Sequence, residues 1–259
     1  MQHDGLASRG ALITGAGSSV GRVIAEQFLA AGARVHIGDV NPQFIERTLA
    51  EVRGLSGSAC DVGKPAQIDA LFSDARQAIG DIDFLVNCVG IAGPHALVEE
   101  TDPAEWRQSI EVNLNGTFEL MRRAIPGMKA RRSGAIVNFS TASTKTGLPH
   151  RAAYVASKAG LEALTYTAAR ELGPFNVRCN AIRPGPINND RMNRVIERSA
   201  AQRGVPAAKI EEEFLQYVSM RTKIEPLELA QTVLFLCGPG GAHITGQFIE
   251  VSGNLEWES

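Results

Sequence analysis

The chain is predicted to be a doubly wound α/β protein, a parallel sheet with helices on both faces, and three observations carry that prediction. Short β-branched or apolar runs alternate strictly with longer helical stretches along the 259 residues. The first of these runs passes through a glycine-rich turn directly into a helix. Apolar residues make up 44% of the chain, ample for one buried core, so residues 1–259 are expected to form a single domain.

Seven runs read as strands: Ala11 to Thr14, Arg34 to Gly38, Gly57 to Cys60, Ile82 to Cys88, Ala135 to Ser140, Val177 to Ile182 and Gln247 to Val251. Between them, 3.6-residue periodicity places helices at Val20 to Ala31, Pro42 to Arg53, Pro65 to Ile79, Pro103 to Ala130, Ala152 to Leu172 and Pro226 to Leu236. Four of the six open on proline, which suits a first helical turn because its missing N–H would be unpaired there anyway. Ile187 to Thr222 breaks the alternation with two polar helical patterns around Gly204-Val205-Pro206. That segment reads as a helical lid over the carboxyl ends of the strands.

Charge and composition exclude several function classes. The formal net charge is −2 and the isoelectric point about 6.2, with no dense basic block, so neither nucleic acid nor a membrane surface is an expected partner. Arg122, Arg123, Lys129, Arg131 and Arg132 gather near one helix end, where cations favour the dipole. No run approaches the roughly 18 apolar residues needed to span a bilayer, and Met1 to Arg9 lacks an apolar export core. A cytoplasmic location is expected. Cys60, Cys88, Cys179 and Cys237 show no paired spacing, which argues against a metal site and fits buried thiols in a reducing compartment.

The glycine turn reads Thr14-Gly15-Ala16-Gly17-Ser18-Ser19-Val20-Gly21. Glycines there let backbone amides approach a pyrophosphate at the positive end of the following helix, a Rossmann-like arrangement. The spacing G-x-G-x-x-G is not met, because Val20 stands at its third glycine. Asp39 ends the second strand, where a carboxylate accepts the ribose hydroxyls of an adenosine and repels a 2′-phosphate. Ser18 and Val40 supply no cation for that phosphate, so NAD is favoured over NADP. Asp61, followed by Val62, ends the third strand in the same way. It serves either the adenine amino group or a turn.

Tyr154 and Lys158 stand four residues apart, so on a helix both side chains leave one face about a turn apart. A phenol ordinarily ionises near about 10 and is a poor proton acceptor at neutral pH. A neighbouring ammonium stabilises the phenolate and makes the pair a proton-transfer device. Asn113 is also out of place locally, because Asn113, Asn115 and Gly116 are poor interior residues for the single long helix around them.

Taken in order, these motifs resemble the short-chain dehydrogenase/reductase family over nearly the whole chain. The family's T-G-x-x-x-G-x-G matches Thr14 through Gly21, with Ser19 replacing the middle glycine. N-N-A-G matches Asn87-Cys88-Val89-Gly90 at its ends only. Val112-Asn113-Leu114-Asn115-Gly116 and Asn180-Ala181-Ile182-Arg183-Pro184-Gly185-Pro186-Ile187 resemble two further family segments. The resemblance implies a catalytic set of Asn113, Thr141, Tyr154 and Lys158. Thr141 lies thirteen residues before the tyrosine, where the family usually has serine, and Ser140 is the alternative. It also implies a bent helix at Asn113 whose backbone carbonyl holds a water, and a wall for the cofactor at Asn87 and Gly90. Pro184, Gly185 and the backbone of Ile187 are expected beside the nicotinamide, and Asn189 takes the place of a frequent threonine.

An oxidoreductase that moves a hydride between NAD(H) and a secondary alcohol or ketone is therefore expected. Tyr154 would accept the alcohol proton, Thr141 would hydrogen-bond the substrate oxygen, and Lys158 would also hold the nicotinamide ribose. Ser143, Arg151 and Met192 are the candidate substrate residues. If the helix already begins at Arg151, its guanidinium leaves the catalytic face and meets a small anionic hydroxy compound. A surface arginine is the plainer alternative, and a sugar or polyol dehydrogenase or a non-catalytic NAD-binding regulator are the other functional readings. The family further implies a homotetramer or homodimer, and Trp257 itself suggests packing on a neighbouring subunit or pocket.

Overall fold

Alternate residues of the central strands point to opposite faces, and each face has its own helical layer. The computed structural model describes residues 5–255, so Trp257 lies outside the described residues. Its strands are β1 (Gly10–Thr14), β2 (Arg34–Asp39), β3 (Leu55–Ala59), β4 (Phe84–Asn87), β5 (Gly134–Phe139), β6 (Val177–Pro184) and β7 (Phe248–Val251). The helices are α1 (Ser19–Ala30), α2 (Pro42–Glu51), α3 (Pro65–Ile79), α4 (Pro103–Ile110), α5 (Gly116–Arg131), α6 (Ser143–Thr146), α7 (Ala152–Leu172), α8 (Asp190–Arg203), α9 (Ala207–Leu215) and α10 (Pro226–Cys237).

The strands form one seven-stranded sheet in the order β3-β2-β1-β4-β5-β6-β7, and all six pairings are parallel. This is the predicted doubly wound fold. On one face Ile13, Val35, Phe84 and Val137 pack with Ile24 and Phe28 of α1 and Leu229 and Val233 of α10. On the other, Leu12, Leu85 and Ile136 pack with Ile68 and Phe72 of α3, Leu120 of α5 and Leu172 of α7. Each such aliphatic or aromatic side chain contributes about 1.5–3 kcal/mol when fully buried. The winding reverses between β1 and β4, so a crevice opens beyond Thr14 and Asn87, where ligands of such sheets bind.

Several boundaries depart from the sequence reading. The helix read from Pro103 to Ala130 is interrupted by a π-helical turn at Glu111–Asn115, where a bend was expected at Asn113. Strand β3 begins at Leu55, two residues early, because its Leu-Ser-Gly-Ser composition disguises a strand whose Ser56 and Ser58 hydroxyls face the His36 ring at 2.9 and 3.1 Å. Short helix α6 has no counterpart in the sequence reading. The lid segment does hold two helices, α8 and α9, joined through Gly204 at φ +64°, a left-handed cap that glycine adopts without strain. They share a small apolar cluster of Ile196, Ala200 and Ile210. Among the described residues no helix is long and apolar enough to cross a membrane.

Candidate active site

The glycine turn at the end of β1 leaves no room for side chains. Gly15 has φ +66°, and a Cβ there would stand 3.0 Å from the Val89 nitrogen; at Gly21 it would stand 2.2 Å from the Gly15 carbonyl oxygen. A Cβ on Gly17 would meet Asp39 at 3.0 Å. Ser18 is the extended N-cap residue of α1, and its hydroxyl makes no cap bond. Ser19 occupies the left-handed region at φ 53°, a conformation that favours the family's glycine. Val20 turns its side chain into the core, so only its backbone borders the crevice.

At the end of β2 the Asp39 carboxylate accepts from the Gly17 N–H at 3.0 Å and from the Asn41 N–H at 3.0 Å. A carboxylate is thus bound directly to the turn expected to cradle the pyrophosphate, with exposed Val40 beside it. Asp61 is used differently. It accepts from the Gly63 N–H at 3.0 Å and lies 3.5 Å from the Lys64 ammonium, which is the turn-forming role. Val62 is 4% exposed and packs against Gly116. Asn87 likewise sends its side chain into the interior, donating to Asn138 Oδ1 at 2.8 Å. For Val62, then, only backbone groups remain for a cofactor, whereas Asn87 Oδ1 is buried without a hydrogen-bond partner among the described residues.

The π turn brings Asn113 under the loop that follows β4. Its Oδ1 accepts from the Ile91 N–H at 2.8 Å, and its Nδ2 donates to the Ile91 carbonyl and to Ser157 Oγ, both at 3.0 Å. Its backbone carbonyl, expected to hold a water, accepts from the Thr117 hydroxyl at 3.1 Å. One side chain therefore fastens the β4 loop to α7. A Cβ on Gly90 would stand 3.1 Å from Lys158 Nζ and 3.5 Å from Asn113 Oδ1, so Asn113, Gly90 and Lys158 meet at one point. Lys158 is 3% exposed and donates to the Phe139 carbonyl at 2.7 Å. Burial, then repulsion from Arg191, pushes its ammonium down to about 8, against a smaller upward pull from Cys88. Half-buried Tyr154 lies one turn earlier on α7.

Ser140 and Thr141 both lie just past β5 and face different partners. Ser140 donates to Glu162 Oε1 at 2.6 Å. Glu162 also accepts from Thr144 at 2.8 Å and from Arg183 at 2.8 and 2.7 Å. Thr141 Oγ1 instead lies 3.3 Å from Ser143 Oγ, and both residues are buried. Glu162 was not singled out in the sequence, although a carboxylate on the apolar face of α7, two turns past Tyr154, was a legible signal.

Beyond β6, the Pro184 carbonyl accepts from the Ala142 N–H at 3.1 Å, tying this segment to the Thr141 loop. Gly185 is required by packing: a Cβ would stand 2.7 Å from Ser252 Cα. Ile187 pairs with Ile224 through the groups of Pro186 and Asn188, which turns its own N–H and carbonyl to the opposite side. Asn189 caps α8, accepting from the Met192 N–H at 2.9 Å, and donates to Ser19 Oγ at 3.2 Å. Met192, expected as a pocket wall, packs against the lid's own cluster.

The start of α7 differs from the condition under which Arg151 would lie on its first turn. Helix α7 begins at Ala152, so Arg151 is its N-cap residue, and its guanidinium turns to the loop after β4. Nη1 lies 3.1 Å from the Gly93 carbonyl, with those of Ala92 and Pro94 at 3.5 and 3.4 Å. Arg191 of α8 reaches the same loop, donating to the Gly90 carbonyl at 3.3 Å. The rings of His95 and His150 stack at 5.0 Å across the same rim.

Comparison with known proteins agrees with this geometry. Residues 15–254 match a family model described as enoyl-(acyl carrier protein) reductase. The chain is 32% identical over 247 residues to 7alpha-hydroxysteroid dehydrogenase of Escherichia coli, covering 94% of this chain and 92% of that protein. The chain belongs to the short-chain dehydrogenase/reductase family. It is 34% identical to 2-(S)-hydroxypropyl-CoM dehydrogenase 3 of Xanthobacter autotrophicus, over 94% of each chain. A crystal structure of actinorhodin polyketide ketoreductase with NADPH superposes with a TM-score of 0.91 at 31% identity, over 95% of this chain and 97% of that one. As a short-chain dehydrogenase/reductase, the protein is an oxidoreductase of alcohol and ketone groups that uses a nicotinamide cofactor. The tight glycine cradle and the carboxylate bound to it fit such a dinucleotide.

Proposed function

We propose that this dehydrogenase oxidises a small anionic secondary alcohol, or reduces the matching ketone, with NAD(H) in preference to NADP(H), and that residues 1–259 act as one domain. Asp39 supports the choice of nucleotide: its carboxylate stands where a 2′-phosphate would meet like charge. When bound, the nicotinamide supplies the hydride acceptor or donor. Tyr154 takes the hydroxyl proton, Thr141 donates to the substrate oxygen, and Lys158 keeps the phenolate favourable. Asn113 acts through position, holding the β4 loop against α7.

The anion rests on one observation. Arg151 and Arg191 converge on the Gly90-to-Pro94 loop at the mouth of the site, and no carboxylate is among the groups acting on Arg151. Burial, then repulsion from Arg191, pushes the Arg151 guanidinium down; Tyr154 opposes the shift, and Arg198 adds to the repulsion. Crowded, partly dehydrated guanidinium groups without acids are relieved by a carboxylate or sulfonate, which they bind bidentately. The relative named for a 2-hydroxypropyl substrate supports a small secondary alcohol.

A panel of hydroxy acids, hydroxysulfonates, neutral secondary alcohols and polyols, each with NAD and NADP, tests this reading. Turnover of an anionic alcohol with NAD is expected, and Arg151→Ala should raise its KM at least about tenfold while sparing a neutral analogue. Equal effects on both substrates would remove the anion, and turnover of polyols alone would favour sugar chemistry. Binding without turnover across the panel would mark a regulator.

Exposed Phe118, Tyr166 and Phe235 on α5, α7 and α10 support a homotetramer or homodimer. Four unpaired thiols, at Cys60, Cys88, Cys179 and Cys237, support a cytoplasmic setting.

A further inference from the structure

Two departures from the family's motifs, 170 positions apart, touch each other: the Asn189 amide donates to the Ser19 hydroxyl at 3.2 Å. Ser19 stands in the glycine turn at φ 53°, where glycine is unstrained and serine is not. A strained residue that persists needs compensation from its surroundings. Asn189 is fixed from its other side, because its Oδ1 caps α8 through the Met192 N–H at 2.9 Å. Two residues later Arg191 donates to the Gly90 carbonyl at 3.3 Å. Residues 189–191 therefore run from the glycine turn beyond β1 to the loop beyond β4, across the crevice between those strands.

We propose that Ser19 and Asn189 form a strap over the dinucleotide crevice that slows release of the nicotinamide cofactor. The inference rests on the reading that this crevice holds a dinucleotide, and it adds a task for the two residues that deviate from the motif. Opening the lid at α8 must break the Ser19–Asn189 bond, so that bond contributes to the barrier for release and not to the chemical step. At that left-handed position the serine hydroxyl supplies the acceptor for the Asn189 amide, which glycine would lack.

The test is stopped-flow displacement of NADH from the full-length protein, followed by nicotinamide fluorescence in the absence of substrate, with NADPH as a second probe. Ser19→Ala removes the hydroxyl and keeps the strain, Ser19→Gly removes both, and Asn189→Ser keeps the helix cap but is too short to reach. Each variant should release NADH about threefold to tenfold faster than the parent, the range set by one solvent-accessible hydrogen bond. The double variant Ser19→Ala/Asn189→Ser should release no faster than either single one, since they share the bond. Ser19→Gly alone should raise the melting temperature, by about 2–4 °C, as the left-handed strain is relieved. Release rates within about twofold of the parent, or effects that multiply in the double variant, overturn the strap. Failure of the parent to bind either nucleotide sinks the dinucleotide reading itself, an outcome visible before any variant is made.

Discussion

The Ser140 hydroxyl donates to the Glu162 carboxylate at 2.6 Å, and that bond divides the labour between two adjacent hydroxyls. Glu162 is a buried carboxylate held by Arg183 through two bonds, and it also receives Thr144. Both flanks of Thr141 are thus tied to one ion pair, while Thr141 itself has only the loop contact to Ser143. Thr141→Ala is predicted to lower kcat about 10²–10³-fold, the usual loss for one donor to a developing oxyanion, with little change in melting temperature. Thr141→Ser should retain most activity. Ser140→Ala should do the reverse, costing about 1–2 kcal/mol of stability with kcat nearly intact. Urea titrations beside steady-state kinetics decide it, and loss of turnover in Ser140→Ala alone would transfer the catalytic role.

Lys158 is predicted to cost the fold stability for the sake of its chemistry. Its ammonium falls from 10.5 in the unfolded chain to about 8 in the fold, chiefly through burial. Between those values the unfolded state binds more protons, so this residue's contribution to stability rises with pH across that window and is most unfavourable below pH 8. The whole shift corresponds to about 3 kcal/mol, reduced by the bond to the Phe139 carbonyl that a substitution would forfeit. Lys158→Met should therefore be inactive yet more stable than the parent at pH 7, by about 1–2 kcal/mol. The advantage should vanish above pH 10.5. Taking the difference between the two proteins at each pH cancels the buried thiols, which also ionise in that range when unfolded. A variant that is less stable at pH 7 would refute the account.

Asn113 is predicted to matter for both stability and rate. Truncation to alanine leaves the half-buried Ile91 N–H and carbonyl, 22 residues away, without their side-chain partner. About 1–3 kcal/mol of stability should be lost, since each hydrogen bond contributes about 0.5–1.5 kcal/mol net. The β4 loop would then be released from α7, and kcat should fall without a matching rise in KM for the nicotinamide cofactor. Hydrogen exchange at Ile91 provides the local readout, and unchanged protection there would show that the β4 loop does not depend on this side chain.

The sheet was legible because its cause is local: β-branched runs, N-terminal prolines and buried helix faces such as Ile24 and Phe28 repeat with the right periods. The glycine turn and the Tyr154 and Lys158 pair were legible because their geometry is set within eight residues of chain. What stayed hidden depends on distant partners. Arg191 reaches Gly90 and Asn189 reaches Ser19 only once the lid folds over the crevice, and no periodicity encodes that contact. The directions of the Asn87, Val62 and Met192 side chains stayed hidden for a related reason. A motif fixes where the backbone runs, whereas the side chain's direction follows from packing against Asn138, Gly116 and the Ile196 cluster.

Nucleotide preference is predicted to hinge on Asp39. Its oxygens accept from Gly17 and Asn41, so the carboxylate is pinned in place and cannot swing away from an added 2′-phosphate. Like charges brought together in a partly desolvated site cost several kcal/mol. Neighbouring Val40 is 67% exposed and supplies neither charge nor donor. Asp39→Ser should lower kcat/KM with NAD about tenfold or more, by removing acceptors for ribose hydroxyls, and raise it with NADP. Adding Val40→Arg should supply the missing cation and complete the reversal, because a guanidinium binds a phosphate bidentately. The ratio of kcat/KM for the two nucleotides, measured on one substrate, gives the answer. If Asp39→Ser leaves that ratio unchanged, the carboxylate serves only the Gly17 and Asn41 amides, and the preference for NAD loses its physical basis.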